Sequence, residues 1–145
     1  MRIMKRTLAV LMLFLILCSM YLPAAKAADL ESTANDEIPI KYQYIHQAYC
    51  NLEIIGGSAS IKSFVKGSAG STTKCEIELK LQRKVLFWWT TVETWNKTAL
   101  SYQASLNVTH AVESGKTYRA VAEFTVWNGS NSESATVTSA TAVAP

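Results

Sequence analysis

The chain has 145 residues, with 14 Lys or Arg and 11 Asp or Glu, and a formal net charge of +3 at pH 7. Four of the basic side chains lie in the first 27 residues, which contain no acid, so the rest carries 10 bases, 11 acids and a net charge of −1. That balance gives no argument for binding nucleic acid or anionic lipid, and the remaining 118 residues suit one domain with a real core.

The first 27 residues have the layout of a secretory signal peptide. Arg2, Lys5 and Arg6 precede a nearly unbroken apolar run, and Ala25-Lys26-Ala27 fits the small-x-small cleavage rule. We therefore predict cleavage after Ala27 and a secreted, extracellular protein that contacts a membrane only through this segment before its removal. The alternative is a retained membrane anchor, because the apolar segment 7–25 is almost long enough to span a bilayer.

Residues 28–39 are acidic and polar without periodicity, which predicts a disordered leader. Residues 40–142 then predict a β-domain whose segments are separated by turn signals such as Gly56-Gly57 and Asn128-Gly129. The predicted strands are 40–47, 50–55, 58–66, 74–83, 86–96, 102–112, 117–126 and 134–142.

Apolar residues keep one parity in most of these strands, as expected when one face is buried and the other is wet. The clearest case is the strand 74–83, whose apolar face is formed by Cys75, Ile77, Leu79 and Leu81. The aromatic segment 86–96 does not keep one parity, which predicts a bulge or an irregular turn near Thr90.

The strand after Ser114-Gly115 is the one around which the rest is organised. Its residues alternate strictly, and the apolar face consists of Tyr118, Ala120, Ala122, Phe124 and Val126. A Tyr at the start of a strand, just after a turn, is where sandwich folds place the tyrosine corner, whose hydroxyl bonds to the backbone a few residues upstream. We therefore predict structural roles for Tyr118 and Gly115.

Seven or eight short strands without any helical period are typical of a sandwich or barrel. We predict an all-β chain with a single immunoglobulin/fibronectin-like antiparallel β-sandwich. Ala120 stands where antibody domains carry their second Cys, so the fibronectin-like or bacterial surface branch is the closer comparison.

Two cysteines, Cys50 and Cys75, follow the predicted cleavage site, and both are in phase with apolar strand positions. An even number of cysteines in an oxidising compartment predicts a disulfide bond between them. The alternative is two separate buried thiols that behave as small apolar side chains.

Several short motifs occur in the order seen in a known family. They are Leu52-x-Ile54-x-Gly56-Gly57-x-Ala59, Lys74-x-x-Ile77-x-Leu79-x-Leu81-Gln82-Arg83-Lys84, Trp89-x-x-Val92-x-x-Trp95, Gly115 with Tyr118-Arg119-x-x-Ala122, and Glu133-Ser134. With them the chain resembles a family of small exported proteins of Gram-positive bacteria that is known only as a domain of unknown function. The resemblance covers about residues 42–138 and implies export and an all-β fold, but it implies no catalytic or binding residue.

The sequence offers no constellation that predicts catalysis. His46 and His110 lie on separate predicted strands, away from any Cys or acidic cluster, and each is more simply a half-buried or edge residue. Glu76 and Glu78 alternate with lysines on an exposed face, where nothing would separate their pKa values for acid–base work. We therefore predict a protein that is not an enzyme, with no cofactor and no metal. A small extracellular hydrolase is the minority alternative.

The tryptophans are the features that favour a binding function. Trp88 and Trp89 are adjacent in a predicted strand and so point to opposite faces; if one fills the core, the other is exposed. Trp127 falls on the polar face of its strand. We predict an exported binding module that holds a glycan or cell-wall ligand on Trp88, Trp89, Trp95 and Trp127. The alternatives are a protein-interaction or antagonist module at the cell surface, and tryptophans that only pack across the sheet.

Overall fold

The computed structural model describes residues 42–145. The predicted signal peptide, the whole of the predicted leader and residues 40–41 of the predicted β-domain lie outside these residues. The described part contains eight strands: β1 (Ile45–Ile55), β2 (Ser58–Gly67), β3 (Lys74–Val85), β4 (Trp88–Ala99), β5 (Gln103–Ala111), β6 (Thr117–Asn128), β7 (Asn131–Thr138) and β8 (Ala142–Val143). Within this range no helix is long and apolar enough to cross a membrane.

The strands form two antiparallel sheets packed face to face, which confirms the predicted all-β sandwich. The three-stranded sheet has the order β1-β2-β5, and the five-stranded sheet has the order β4-β3-β6-β7, with β8 paired to the start of β6. Constant-type immunoglobulin domains place their fourth strand in the same sheet as the first, second and fifth strands. Here β4 instead pairs with β3 along its whole length and becomes an edge of the larger sheet.

The core is formed by alternate residues of both sheets, as the alternation predicts. The fully buried apolar side chains include Ile61 and Val65 of β2, Ile77, Leu79 and Leu81 of β3, and Tyr118, Phe124 and Val126 of β6. Because β3 and β6 are the interior strands of the five-stranded sheet and are covered by the other sheet, they supply most of this filling.

The first two predicted strands are one strand in the structure. β1 runs without a break from Ile45 to Ile55, and its pairing with β2 shifts register between Ile45 and Gln47. Ile45, Ala48 and Cys50 are all buried, so the buried parity changes at His46. The irregularity lies within the first predicted strand, 40–47, and not in the gap before the second. At the other end, the predicted strand 134–142 corresponds to β7 and the short β8.

The tyrosine corner is present. Tyr118 is 2% exposed, and its hydroxyl accepts a hydrogen bond of 3.0 Å from the backbone N–H of Glu113, five residues upstream. Gly115 lies between the two residues with φ at 72°, a conformation that favours glycine. Its N–H donates to the carbonyl of Ala144 at 2.9 Å, which ties the β5–β6 loop to the C-terminal residues.

The predicted disulfide bond is absent, and Cys50 and Cys75 are free, buried thiols. Cys50 lies on β1, an edge strand of one sheet, and Cys75 lies on β3, an interior strand of the other. No Cα of β1 lies within 8 Å of a Cα of β3. A disulfide requires its two Cα atoms within about 7 Å, so the two residues face a common core without being able to meet.

Glu133 of β7 anchors the start of the domain. Its carboxylate accepts hydrogen bonds from three successive backbone N–H groups, those of Gln43 (2.9 Å), Tyr44 (2.7 Å) and Ile45 (3.0 Å). Burial raises the pKa of Glu133, but the three N–H groups more than offset this, so its pKa lies below the ordinary value. The carboxylate thereby joins β1 of one sheet to β7 of the other.

Candidate functional site

The four tryptophans predicted to bind a ligand lie in three different places. Trp95 faces inward: it pairs with the fully buried Leu79, and its ring meets that of His110 on β5 edge to face, with centroids 5.9 Å apart. Trp89 and Trp127 lie on the outer face of the five-stranded sheet, near its opposite ends. Trp88 lies at the tip of the β3–β4 hairpin. The structure therefore does not bring the four rings together into one platform.

Neither Trp88 nor Trp89 fills the core, which differs from the expectation for two adjacent strand residues. Trp88 pairs with Val85 at the tip of the hairpin and is 70% exposed. Trp89 is half-buried on the outer face because the guanidinium of Arg119 lies 4.3 Å from its ring centroid. Arg119 is held there by a hydrogen bond of 2.9 Å from its Nε to the side-chain oxygen of Gln82.

Trp127 lies on the outer face at the opposite end of β6, as predicted from its parity. The ammonium of Lys74 lies 4.1 Å from its ring centroid and also forms an ion pair of 2.9 Å with Glu76. The hydrogen bond and charge of Lys74 lower the pKa of Glu76 despite its partial burial, and the Trp127 indole contributes in the same direction. The indole N–H is nevertheless buried without a partner in good hydrogen-bond geometry among the described residues.

A shallow depression of about 310 Å³ lies on the outer face where β3, β4 and β6 run side by side. Trp127 does not line it, but it follows the lining residue Thr125 by two positions on β6 and so lies next to it on the same face. Two rows of residues cross the three strands there: Asn96, Glu78 and Glu123 in one, and Thr98, Glu76 and Thr125 in the next. All six side chains can form hydrogen bonds, and all six line the depression. Sequence parity correctly placed Glu76, Glu78, Glu123 and Thr125 on polar faces. It placed neither Asn96 nor Thr98, and the depression depends on the register between strands.

The charges of this face are paired along β3 rather than between strands. Lys74 pairs with Glu76, and Lys80 pairs with Glu78, in each case two residues apart on the same face. The contact with Glu78 raises the pKa of Lys80. Glu123 lies directly opposite Glu78 on β6, so one edge of the depression carries two neighbouring carboxylates.

The β3–β4 tip is a second unusual surface, and sequence reasoning missed it. Val85, Leu86, Phe87 and Trp88 are 40%, 79%, 86% and 70% exposed. The two-residue turn Leu86-Phe87 contains no Gly, Asn, Asp or Pro, and Leu86 has φ at 56°. The available signal was the unbroken apolar run Val85–Trp89, most of which falls within the predicted strand 86–96. The bulge predicted near Thr90 lies at Val92, where the register shifts opposite Leu81 and Gln82.

The histidines and cysteines do not form a reactive centre. His46 shares a hydrogen bond of 2.9 Å with the Ser68 hydroxyl on the surface, and His110 contacts Trp95. Burial raises the pKa of the Cys50 thiol to about 12 and also raises that of Cys75, so both thiols are held in their unreactive neutral form. In residues 42–145 no three His, Cys, Asp or Glu side chains are grouped so that they would hold a metal ion.

Comparison with known proteins adds no argument about the fold or the function of this chain. No protein-family model matches the chain, and no curated protein matches it. A solution structure of CsgH from R. palustris aligns with 63% of this chain and 90% of its own length, at 15% sequence identity and a TM-score of 0.36. A likeness at that level carries no argument about function.

Proposed function

We propose that this protein is an exported, non-catalytic binding module that holds a carbohydrate of the cell wall or cell surface on the outer face of its five-stranded sheet. The observation that carries the proposal is the depression beside Trp127 with its six hydrogen-bonding side chains. The proposed site keeps Trp127 from the predicted set and adds the polar residues of β3, β4 and β6.

The chemistry of the depression suits a sugar. Neighbouring carboxylates and an amide, here those of Glu78, Glu123 and Asn96, can each bond to adjacent hydroxyls of a pyranose ring. The ring face of Trp127 can stack on the apolar face of the same sugar. Lys74 now lies over that ring, and moving its ammonium aside costs about 0.5–1 kcal/mol at an exposed site. Two hydrogen bonds to charged acceptors outweigh that cost.

Export is supported by the sequence of residues 1–27, in which basic, apolar and small residues follow in the order of a signal peptide. The absence of catalysis is supported by the chemistry of the described residues. Their thiols are neutral, the two histidines stand apart, and the carboxylates of the depression are partly neutralised by lysines on a solvated face. Acid–base catalysis would instead require carboxylates in sharply different environments.

The test is binding of the purified, processed protein to immobilised polysaccharides and cell-wall material, followed by substitution in the depression. We expect Trp127→Ala and Asn96→Ala to weaken glycan binding about tenfold or more, since each removes a stacking face or a hydrogen-bond pair. Asn96 is exposed, so its change tests the site without disturbing the core. Trp88→Ala, in the hairpin tip where β4 pairs with the far end of β3, is the matched control. Failure to bind any glycan, or an equal loss in Trp88→Ala, would reject the proposal.

A second candidate is a protein-interaction or antagonist module, and the long edge strand β4 favours it. β4 has 12 residues and pairs with β3 on one side only, so its other edge offers backbone groups to a partner strand. Binding of such a partner would be weakened by substitutions along β4 and would be unchanged in Trp127→Ala. The glycan experiment and its variants therefore separate the two functions.

A further inference from the structure

The apolar tip of the β3–β4 hairpin extends beyond the strand beside it. β3 pairs with β6 only from Lys74 to Arg83, but it pairs with β4 as far as Val85 and Trp88. Residues 85–88 therefore have no neighbouring strand on one side and lie in solvent. Single exposed apolar residues need no explanation, but four in succession at a protruding point do.

The backbone of the turn does not explain these residues either. Leu86 occupies a left-handed conformation, with φ at 56°, where a two-residue hairpin turn normally has Gly, Asn or Asp. Its side chain is exposed, so core packing does not compensate for this conformation. A residue that fits neither the turn nor the core points to a contact outside the domain.

Basic side chains surround the base of the tip. Arg83 and Lys84 directly precede it on β3, and Arg119 and Lys116 lie on the adjacent start of β6 and the loop before it. The acid facing this group from the β5–β6 loop is Glu113, which pairs with Arg83. The chain after Ala27 has a net charge of −1, so its composition does not reveal the cluster of basic side chains at this end of the sheet. The cluster forms only through the pairing of β3 with β6.

We propose that the hairpin tip inserts into the interfacial region of a lipid bilayer that contains anionic lipid. Phe87, Trp88 and Leu86 would enter the headgroup–acyl boundary, where aromatic side chains are favoured, while Lys84 and its basic neighbours contact anionic headgroups. A narrow, convex tip fits a deformable bilayer, whereas a protein partner would have to offer a matching concave pocket. This contact is distinct from the glycan site, at the opposite end of β3, and from any contact made by the signal peptide.

The experiment mixes the exported, processed protein with vesicles of phosphatidylcholine alone or of equal parts phosphatidylcholine and phosphatidylglycerol. Binding is measured by cosedimentation and by the blue shift of tryptophan fluorescence. We expect the wild type to bind the anionic vesicles, and Phe87→Ser to lower its partition coefficient about tenfold or more. Lys84→Gln should lower binding to the anionic vesicles about fivefold, and high salt should act in the same direction.

The matched control is Leu100→Ser, because Leu100 and Phe87 are both 86% exposed and lie at opposite ends of the hairpin β3–β4. It should bind vesicles as the wild type does. Both serine variants should keep the thermal unfolding temperature of the wild type, since neither side chain packs in the core. Equal vesicle binding by Phe87→Ser and wild type overturns the proposal. The proposal is also overturned if the wild type binds neither kind of vesicle, including the case in which its hairpin tip cross-links to a protein instead. Equal binding of the wild type to both kinds of vesicle overturns the preference for anionic lipid.

Discussion

Removing the hydroxyl of Tyr118 tests the tyrosine corner on which the sandwich interpretation rests. The Tyr118→Phe change leaves the ring, which is 2% exposed, in its place, so no cavity forms. It deletes one hydrogen bond of 3.0 Å and leaves the backbone N–H of Glu113 without that acceptor. Leaving a buried donor unsatisfied costs about 1–3 kcal/mol, and since this bond is only part-buried we expect about 1–2 kcal/mol.

The measurement is equilibrium unfolding in urea, followed by circular dichroism, together with thermal unfolding. For a domain of this size, a loss of 1–2 kcal/mol corresponds to a decrease in Tm of about 5–10 °C. The urea m value should not change, because the surface exposed on unfolding is the same. A lower m value would mean that the β5–β6 loop has opened in the native state.

The matched control is Tyr49→Phe. It removes the same atom from a ring that is 38% exposed on the outer face of the three-stranded sheet, stacked on Phe64. Water can replace the lost hydroxyl contact there, so we expect a change below about 0.5 kcal/mol. If the two variants lose the same stability, the hydrogen bond to Glu113 contributes nothing and the corner is ring packing alone.

Three further outcomes are expected. Glu133→Gln should lower the free energy of unfolding by about 1–2 kcal/mol at pH 7. Because the pKa of Glu133 is lower in the folded state, the stability it contributes is present above the ordinary pKa of 4.5 and is lost as the pH falls through the folded pKa. The urea midpoints of the variant and the wild type should therefore converge in acid. A persistent difference in acid would contradict this. Cys50 and Cys75 should both react with a maleimide when the protein is unfolded without reductant, and neither should react in the native protein at pH 7. Mass spectrometry counts the adducts, and an unfolded chain that carries no adduct would indicate a disulfide bond. Leu86→Gly should raise the free energy of unfolding by up to about 1 kcal/mol, since glycine adopts φ at 56° without strain; a lower urea midpoint would contradict that account.

The faces of the strands were predictable from sequence because alternation is a property of the extended chain itself. In β3 every second residue from Cys75 to Leu81 is buried, and in β6 the same holds from Tyr118 to Val126. The outer-face position of Trp127 followed from the same rule. Where the backbone departs from regular pairing, as at His46 in β1 and Val92 in β4, the phase of the alternation changes, so the irregularity in β4 was predicted only to within two residues.

The candidate site was only partly predictable, because the parity of a residue indicates which face of the sheet it lies on but not which residues of other strands lie next to it. Glu78, Asn96 and Glu123 are far apart in sequence and become one row through the register of β4, β3 and β6. Trp88 has the parity of the core, but it is exposed because its hairpin extends beyond β6. No turn residue marks Leu86-Phe87, so the protruding tip could be recognised only from the pairing of its strands.

The amino-acid sequence by itself determined that this chain forms a β-sandwich with a tyrosine corner, since period-two patterning and a Gly-preceded Tyr act over a few neighbouring residues. The tertiary structure decided which residues meet. It kept the thiols of Cys50 and Cys75 apart on strands with no close Cα atoms, and it gathered Lys84, Lys116 and Arg119 at one end. The physical reason is that distances between strands depend on sheet order and register, which are set by the burial of the whole core rather than by any local stretch of the chain.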